Sequence, residues 1–311
     1  MHIDLDGRVV IVTGAGNGLG RSHALLLASR GALVVVNDLG GGTDGTGGGS
    51  SPADQVVAEI IAAGGTAVAS YSSVATQEGA RAIVQTAVDS FGRLDAVVNN
   101  AGILRDRSLM KLEPADIDLV LDVHLKGTLY VTQAAFPVMK EAGFGRFVHT
   151  TSAAGLFGNF GQSNYSAAKM GIVGLSRTVA EEGARAGITS NVIAPIARTR
   201  LTEDLLGPLA NALDPEYVSP LVAFLVSPEC TLNREVISVG GGRFARVFTG
   251  LTTGWFAGAS TSVEPEDVAD HIGEILDTDG FSIPERATEE IMTLAALVAD
   301  GDTSQVAMGA R

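Results

Sequence analysis

Tyr165 and Lys169 stand four residues apart in the run Tyr165-Ser166-Ala167-Ala168-Lys169. On a helix that spacing puts both side chains on one face. An ammonium beside a phenol favours the phenolate. Lowering a tyrosine from its usual ~10 towards 7 takes about 4 kcal/mol, which one close cation together with the positive charge of a bound ring could supply. Ser152 lies thirteen residues before Tyr165. At the end of a strand its hydroxyl can hydrogen-bond a substrate oxygen. The trio suits the movement of a proton on or off a substrate oxygen. A lone Tyr-x-x-x-Lys is common on helices, so its weight rests on what surrounds it.

A second set of residues supplies that context. Thr13-Gly14-Ala15-Gly16-Asn17-Gly18-Leu19-Gly20 follows an aliphatic run, Val9 to Val12, and opens a helical pattern. Gly14 permits a tight turn, Gly18 lets the backbone approach a pyrophosphate, and Gly20 lets helix and strand pack closely. Free N–H groups at the helix start attract the anion. Asp38 ends the second aliphatic run, 24 residues after Gly14, with Asn37 and Leu39 as neighbours. A carboxylate there accepts hydrogen bonds from a ribose diol and repels a 2′-phosphate, which favours NAD over NADP. Asn99-Asn100-Ala101-Gly102 closes the fourth run, where side-chain amides can satisfy backbone groups across a sheet crevice.

The elements that must position these residues alternate. Apolar runs at Val9–Val12, Leu33–Val36, Ala67–Ala69, Ala96–Val98, Arg146–His149, Ser190–Ile193 and Glu235–Val239 are separated by helical patterns. Those patterns span Leu19–Ser29, Ala53–Ala63, Gln77–Phe91, Pro114–Glu141 and Ser163–Arg185. The early strands are apolar throughout, as parallel strands covered on both faces are. The order predicts an α/β Rossmann-type doubly wound parallel sheet of seven strands with helices on both faces. Residues 1–242 form the dinucleotide-binding and catalytic domain. Residues 243–311 read as a C-terminal extension packed on it, with a capped amphipathic helix from Glu264 to Leu276. The run Gly40 to Ser51 is Gly/Ser-rich and sits after the second strand, where open α/β sheets hold ligands. It reads either as a tolerated surface insertion or as a loop that settles over a ligand.

Composition narrows the function classes. The 311 residues carry 21 Lys+Arg against 35 Asp+Glu, a net charge of −14 that repels nucleic acid and anionic membrane. With aromatics at 5%, the core is aliphatic. Cys230 is the one cysteine, so neither an intrachain disulfide nor a Cys-based zinc site is expected, and no metal is called for. The longest apolar runs are about 5–8 residues, against the ~20 that span a membrane. The acidic start, Met1 to Asp6, is unlike a signal peptide, and Gly309-Ala310-Arg311 is not a peroxisomal address. A reducing cytoplasm is the expected compartment.

The Thr-Gly-x-x-x-Gly-x-Gly, Asn-Asn-Ala-Gly and Ser…Tyr-x-x-x-Lys motifs stand in order, and over residues 6 to about 242 the chain resembles the short-chain dehydrogenase/reductase family. It is similar, over most of its length, to the (3R)-hydroxyacyl-CoA dehydrogenase domains of the type 2 multifunctional enzymes of β-oxidation. Asn37-Asp38-Leu39-Gly40-Gly41, Gly102 to Ser108, Val123 to Gly127, Gly158 to Tyr165 and Pro215 to Val222 carry that likeness. The resemblance implies Tyr165 as acid/base, Lys169 lowering its pKa and holding the nicotinamide ribose, and Ser152 orienting the reacting oxygen. It implies NAD held by Gly14, Asn17, Gly18, Leu19, Gly20, Asp38, Ser73, Val74, Asn100, Ala101, Gly102, Tyr165, Lys169, Ile196 and Thr199. The wider family has Asn at the position of His124, which here is either a relay member or a packed helix histidine. Ser73 replaces an adenine-contacting Asp. Arg105 and Arg107 are candidates for CoA phosphates or a solvated pair, and Leu104, Leu156, Phe157, Phe160 and Leu201 for an acyl-chain wall. The implied reaction is NAD-dependent oxidation of a (3R)-3-hydroxyacyl-CoA from fatty or steroid side chains. Oxidation of free hydroxysteroids or other secondary alcohols, and a catalytically silent NAD-binding protein, are the competing readings. A homodimer or homotetramer through Pro114–Glu141 and Ser163–Arg185 is expected, free-standing because no hydratase segment follows.

Overall fold

Val9–Thr13 (β1) is buried along its whole length, as an all-aliphatic strand at the centre of a sheet must be. In the computed structural model, which describes residues 2–47, 49, 51–198, 213–259 and 261–300, it lies between Leu33–Asn37 (β2) and Ala96–Asn99 (β4). Thr66–Ser70 (β3), Gly145–Thr150 (β5), Ile188–Pro195 (β6), Val236–Gly240 (β7) and Arg243–Val247 (β8) complete the order β3-β2-β1-β4-β5-β6-β7-β8. The first seven pair in parallel. The order reverses between β1 and β4, and the crevice at such a switch point is where ligands sit.

The sheet has eight strands where the sequence predicts seven. Gly241 and Gly242, at φ 56° and 79°, make a two-residue turn that only residues tolerant of positive φ adopt readily. The strand it leads to, Arg-Phe-Ala-Arg-Val, is largely exposed, so no aliphatic run announces it. The first compact unit accordingly runs Met1–Arg246 and the second Val247–Arg311.

Alternation along the strands builds two cores. Val10 and Val12 of β1 face Ala24 and Leu27 of Gly18–Ser29 (α1), Val56 and Ile60 of Ser51–Ala62 (α2), and Leu225 of Ser219–Val226. Val9 and Ile11 face Ile83 and Ala87 of Gln77–Phe91 (α3) and a further helix, Gly127–Ala142, through Val131, Ala135 and Met139. In α3, Ala80, Ile83, Val84 and Ala87 recur at helical spacing on the buried side. Each buried Ile or Val contributes roughly 1.5–3 kcal/mol.

The long helix expected at Pro114–Glu141 is not regular. It comprises Pro114–Leu121 (α4), a π-helical turn at Asp122–Lys126, and Gly127–Ala142 (α5). The wider turn carries one extra residue per winding, and His124 within it is buried. Ala153–Phe157 (α6) and Ser163–Gly183 (α7) follow β5. In the second unit, Leu251–Thr252 pairs antiparallel with Phe281–Ser282, and Trp255 stacks on His271 at 4.0 Å. The helix expected at Glu264–Leu276 begins with a capping box between Glu264 and Asp267 but breaks at His271 into Pro265–Asp270 and Ile272–Ile275.

Candidate active site

The carboxyl ends of the parallel strands surround a cavity of about 630 Å³, the size of a small-ligand site. β1 ends in the glycine turn. At Gly14, φ is 63° and a Cβ would lie 2.7 Å from the Ala101 Cα. A Cβ on Gly20 would meet the Gly14 carbonyl oxygen at 2.2 Å, so Gly20 packs beneath the turn rather than on the cavity wall. Asn17, Gly18 and Leu19 are on the wall. Asn17 makes no side-chain capping bond to α1, so the first-turn amides keep their affinity for an anion.

Three strand ends are stitched together beside this turn. The Asn100 side-chain amide donates to the carbonyls of Thr13 (3.0 Å) and Gly14 (3.1 Å). The Thr13 hydroxyl accepts from the backbone N–H groups of Asn100 and Ala101. Asp38, at the end of β2, accepts from the Gly16 N–H at 2.8 Å and the Gly40 N–H at 2.7 Å. Ser73 and Val74 line the cavity beyond β3, with the Ser73 hydroxyl accepting from the Ala75 N–H. Ile196 lines it beyond β6. Thr199 and Leu201 lie outside the described residues.

The proton-transfer residues meet on the opposite wall. Ser152 is the N-cap of α6 and accepts from the Ala154 N–H at 3.2 Å. Its hydroxyl is close enough to the Tyr165 phenol on α7 to pull that phenol's pKa down. One turn on, the Lys169 ammonium lies 5.5 Å from the centre of the Tyr165 ring and donates to the Thr150 carbonyl at 2.7 Å. The Thr151 hydroxyl donates to the Lys169 carbonyl, fixing α7 to the end of β5. His124 packs edge-on to Tyr165 with ring centres 5.1 Å apart. Its Nε2 sits at 2.7 Å from the Ile103 carbonyl and 3.1 Å from the Ile103 N–H, and its buried Nδ1 has no partner among the described residues. Gly102 makes room for that ring: a Cβ there would lie 2.4 Å from His124 Cε1.

Burial dominates the electrostatics of the site without a ligand. Burial pushes Tyr165 up to about 12, with the Ser152 hydrogen bond pulling down and the Asp106 charge pushing further up. Burial pushes Lys169 down to about 7. His124 is pushed down to about 3 by burial and by the Lys169 charge, against the Ile103 bond. Without a ligand the phenol is therefore neutral at pH 7. Desolvation is the largest influence on the phenol, and the Lys169 side chain donates to the Thr150 carbonyl.

Four expected substrate contacts are placed differently. Arg105 and Arg107 are not on the cavity wall: both engage the buried carboxylate of Asp116 on α4, at 3.3 and 2.9 Å. Leu156 is also off the wall, while its neighbour Phe157, 74% exposed, and Leu104 are on it. Phe160 is exposed and away from the wall. The Gly-rich run does reach the cavity, through Gly41, Gly42, Thr43 and Gly45. Thr13, Gly16, Thr150 and Gln162 are site residues that motif reasoning left without a role. The Thr13 hydroxyl position is readable from its place before Gly14, but a backbone carbonyl such as that of Thr150 has no signature in sequence. Among the described residues, no group of three His, Cys, Asp or Glu could hold a metal ion, and no helix is long and apolar enough to cross a membrane.

The glycine cradle, the open helix start and the Asp38 carboxylate fit a dinucleotide on the observed geometry. Comparison with known proteins agrees. The short chain dehydrogenase family model matches residues 8–206. A Mycobacterium tuberculosis protein named as a short-chain type dehydrogenase/reductase is 53% identical over 277 residues, covering 89% of this chain and 96% of its own. Mouse peroxisomal multifunctional enzyme type 2 is 50% identical over 286 residues, covering 91% of this chain but 38% of the enzyme's length. The structure of full-length peroxisomal multifunctional enzyme type 2 from Drosophila melanogaster superposes with a TM-score of 0.80 at 40% identity, covering 96% of this chain and 50% of that one. The chain thus spans half or less of the mouse and Drosophila multifunctional enzymes, and it belongs to the short-chain dehydrogenase/reductase family of oxidoreductases.

Proposed function

We propose that the protein oxidises a (3R)-3-hydroxyacyl-CoA to the 3-ketoacyl-CoA with NAD, in the breakdown of fatty or steroid side chains. The observation that carries this reading is the convergence of Ser152, Tyr165 and Lys169 on the same cavity as the glycine turn and Asp38. NAD is favoured because Asp38 holds a carboxylate at the ribose end, where a 2′-phosphate would be repelled. Its two bonds to glycine amides leave acceptor capacity for a diol. The likeness to the multifunctional enzymes supports the thioester substrate, and Leu104, Ile103 and Phe157 offer it an apolar wall.

When bound, the dinucleotide supplies the hydride acceptor. The chain supplies the proton chemistry. Ser152 donates a hydrogen bond to the substrate oxygen, and the Tyr165 Oη takes the hydroxyl proton. Bringing the phenol from about 12 to neutrality demands about 7 kcal/mol. Cationic charge that arrives with the ligand, and full protonation of Lys169 beside it, work in that direction. The neutral His124 imidazole fixes the backbone at Ile103 next to the ring.

Self-association through α5 and α7 belongs to the same proposal. Leu129 and Met170 leave apolar surface exposed on these helices, suited to a homodimer or homotetramer. A reducing compartment such as the cytoplasm suits a chain whose one cysteine, Cys230, is buried.

The test is NADH formation across straight-chain and steroid-derived 3-hydroxyacyl-CoA esters, with free hydroxysteroids alongside. Turnover confined to free steroids would replace the thioester assignment. Tyr165→Phe is expected to lower turnover by at least about 10²–10⁴-fold while NADH still binds. Unchanged turnover in that variant would remove Tyr165 from the chemistry.

A further inference from the structure

The Gly-rich run after β2 is built and anchored, and its anchor is Arg105. The neck is closed by the Gly49 N–H donating to the Leu39 carbonyl at 2.9 Å. At Gly40, φ is 75° and a Cβ would sit 1.8 Å from the Gly49 oxygen, so only glycine passes through it. Inside, the Gly42 N–H donates to the Thr46 carbonyl at 2.7 Å. The Asp44 carboxylate accepts from the Thr46 N–H and hydroxyl. The neck is also tied to Asp38, whose second oxygen accepts from the Gly40 N–H.

The far side of the loop docks on residues that follow β4. The Leu104 N–H donates to the Thr43 carbonyl at 3.0 Å. The Arg105 Nε donates to the Asp44 carbonyl at 2.7 Å, while its Nη1 reaches Asp116. Gly45, at φ 81°, lies against Ile103 and Leu119. β2 and β4 flank β1 in the sheet. Strands sit about 4.8 Å apart, so a segment that leaves β2 and bonds to the chain after β4 must bridge the end of β1. That end carries the Gly14–Gly18 turn.

We infer that the segment Gly40–Gly47 is a strap across the dinucleotide cleft, and that Arg105 is the positioning residue that latches it, rather than a ligand for substrate phosphate. The inference rests on the dinucleotide reading above. Asp38 belongs to both parts, so holding the strap also holds the carboxylate that faces the ribose. Affinity for the dinucleotide then scales with the fraction of molecules whose strap is docked. Arg107 shares Asp116 but makes no bond to the strap, so it serves as the control.

The experiment is titration of the full chain with NADH, followed by fluorescence, with melting temperature and turnover at saturating NAD measured in parallel. Arg105→Ala is expected to raise the NADH Kd about tenfold, as a fall in the docked fraction to about one in ten would. Turnover at saturation stays within about twofold, Arg105→Lys recovers part of the affinity, and Arg107→Ala leaves Kd within about twofold. Gly45→Ala tests the same docking without touching the arginine, because its Cβ would lie 3.1 Å from Ile103 Cδ1 at positive φ. It carries the test alone if Arg105→Ala does not fold. Unchanged Kd in Arg105→Ala and Gly45→Ala overturns the strap, as does an equal loss in Arg107→Ala. Wild-type protein that binds no NADH overturns the dinucleotide reading instead.

Discussion

Three buried histidines make the fold acid-labile, by an amount the structure allows one to work out. His23 bonds Ser219 at 2.8 Å through Nδ1, His149 meets Asn99 at 3.1 Å and stacks on Phe147, and His124 sits in the π-helical turn beside Tyr165. Burial pushes each of them down to about 3, against ~6.5 in an unfolded chain. Between those limits the unfolded state binds up to three more protons than the native state, so stability falls as the pH falls. The slope approaches roughly 4 kcal/mol per pH unit, and the loss between about pH 7.5 and about pH 5 is roughly 6 kcal/mol. A domain's whole stability is about 5–15 kcal/mol, so unfolding is expected near pH 5 or a little below. Further into acid, Asp95 adds to the effect. Burial raises its pKa, but Arg93, the Val9 N–H and Arg8 outweigh that and hold it below the usual carboxylate range. Urea unfolding at a series of pH values, followed by far-UV circular dichroism, measures the slope directly. His149→Gln should reduce it by about a third whatever it does at neutral pH. A slope of less than one proton per molecule between about pH 6 and about pH 5 would refute the reasoning, because the native state would then be taking up the same protons.

Two further outcomes follow from the site itself. Lys169 is held at about 7 by burial, so from there to ~10.5 the unfolded chain carries the extra proton and stability rises with pH. Lys169→Met should flatten that rise in urea melts and be at least as stable as the wild type at neutral pH, while turnover is lost. Gly102→Ala forces a Cβ to within 2.4 Å of His124 Cε1. A destabilisation of about 1–3 kcal/mol is expected, with a lower melting temperature by calorimetry; a neutral result would mean that the imidazole is free to swing away.

What the sequence determined on its own is what depends on local spacing and backbone freedom. Unbroken aliphatic runs mark β1, β2 and β4 because strands covered on both faces have no polar side. Gly14 and Gly20 are legible because a tight turn and a close helix crossing exclude a Cβ whatever else the chain does. Tyr165 and Lys169 share a face because a helix turns every 3.6 residues. Other features depend on which distant groups end up adjacent, and only the tertiary structure decided them. Nothing in Arg105 itself shows that it binds the Asp44 carbonyl and Asp116, since a guanidinium suits many acceptors. The π-helical turn that buries His124 lies in a stretch whose periodicity reads as ordinary helix. Strand β8 is exposed and so lacks the aliphatic signature of its neighbours. Above all, the phenol beside the ammonium is raised to about 12 rather than lowered. Charge proximity can be guessed from spacing, but desolvation is set by everything that packs around a group.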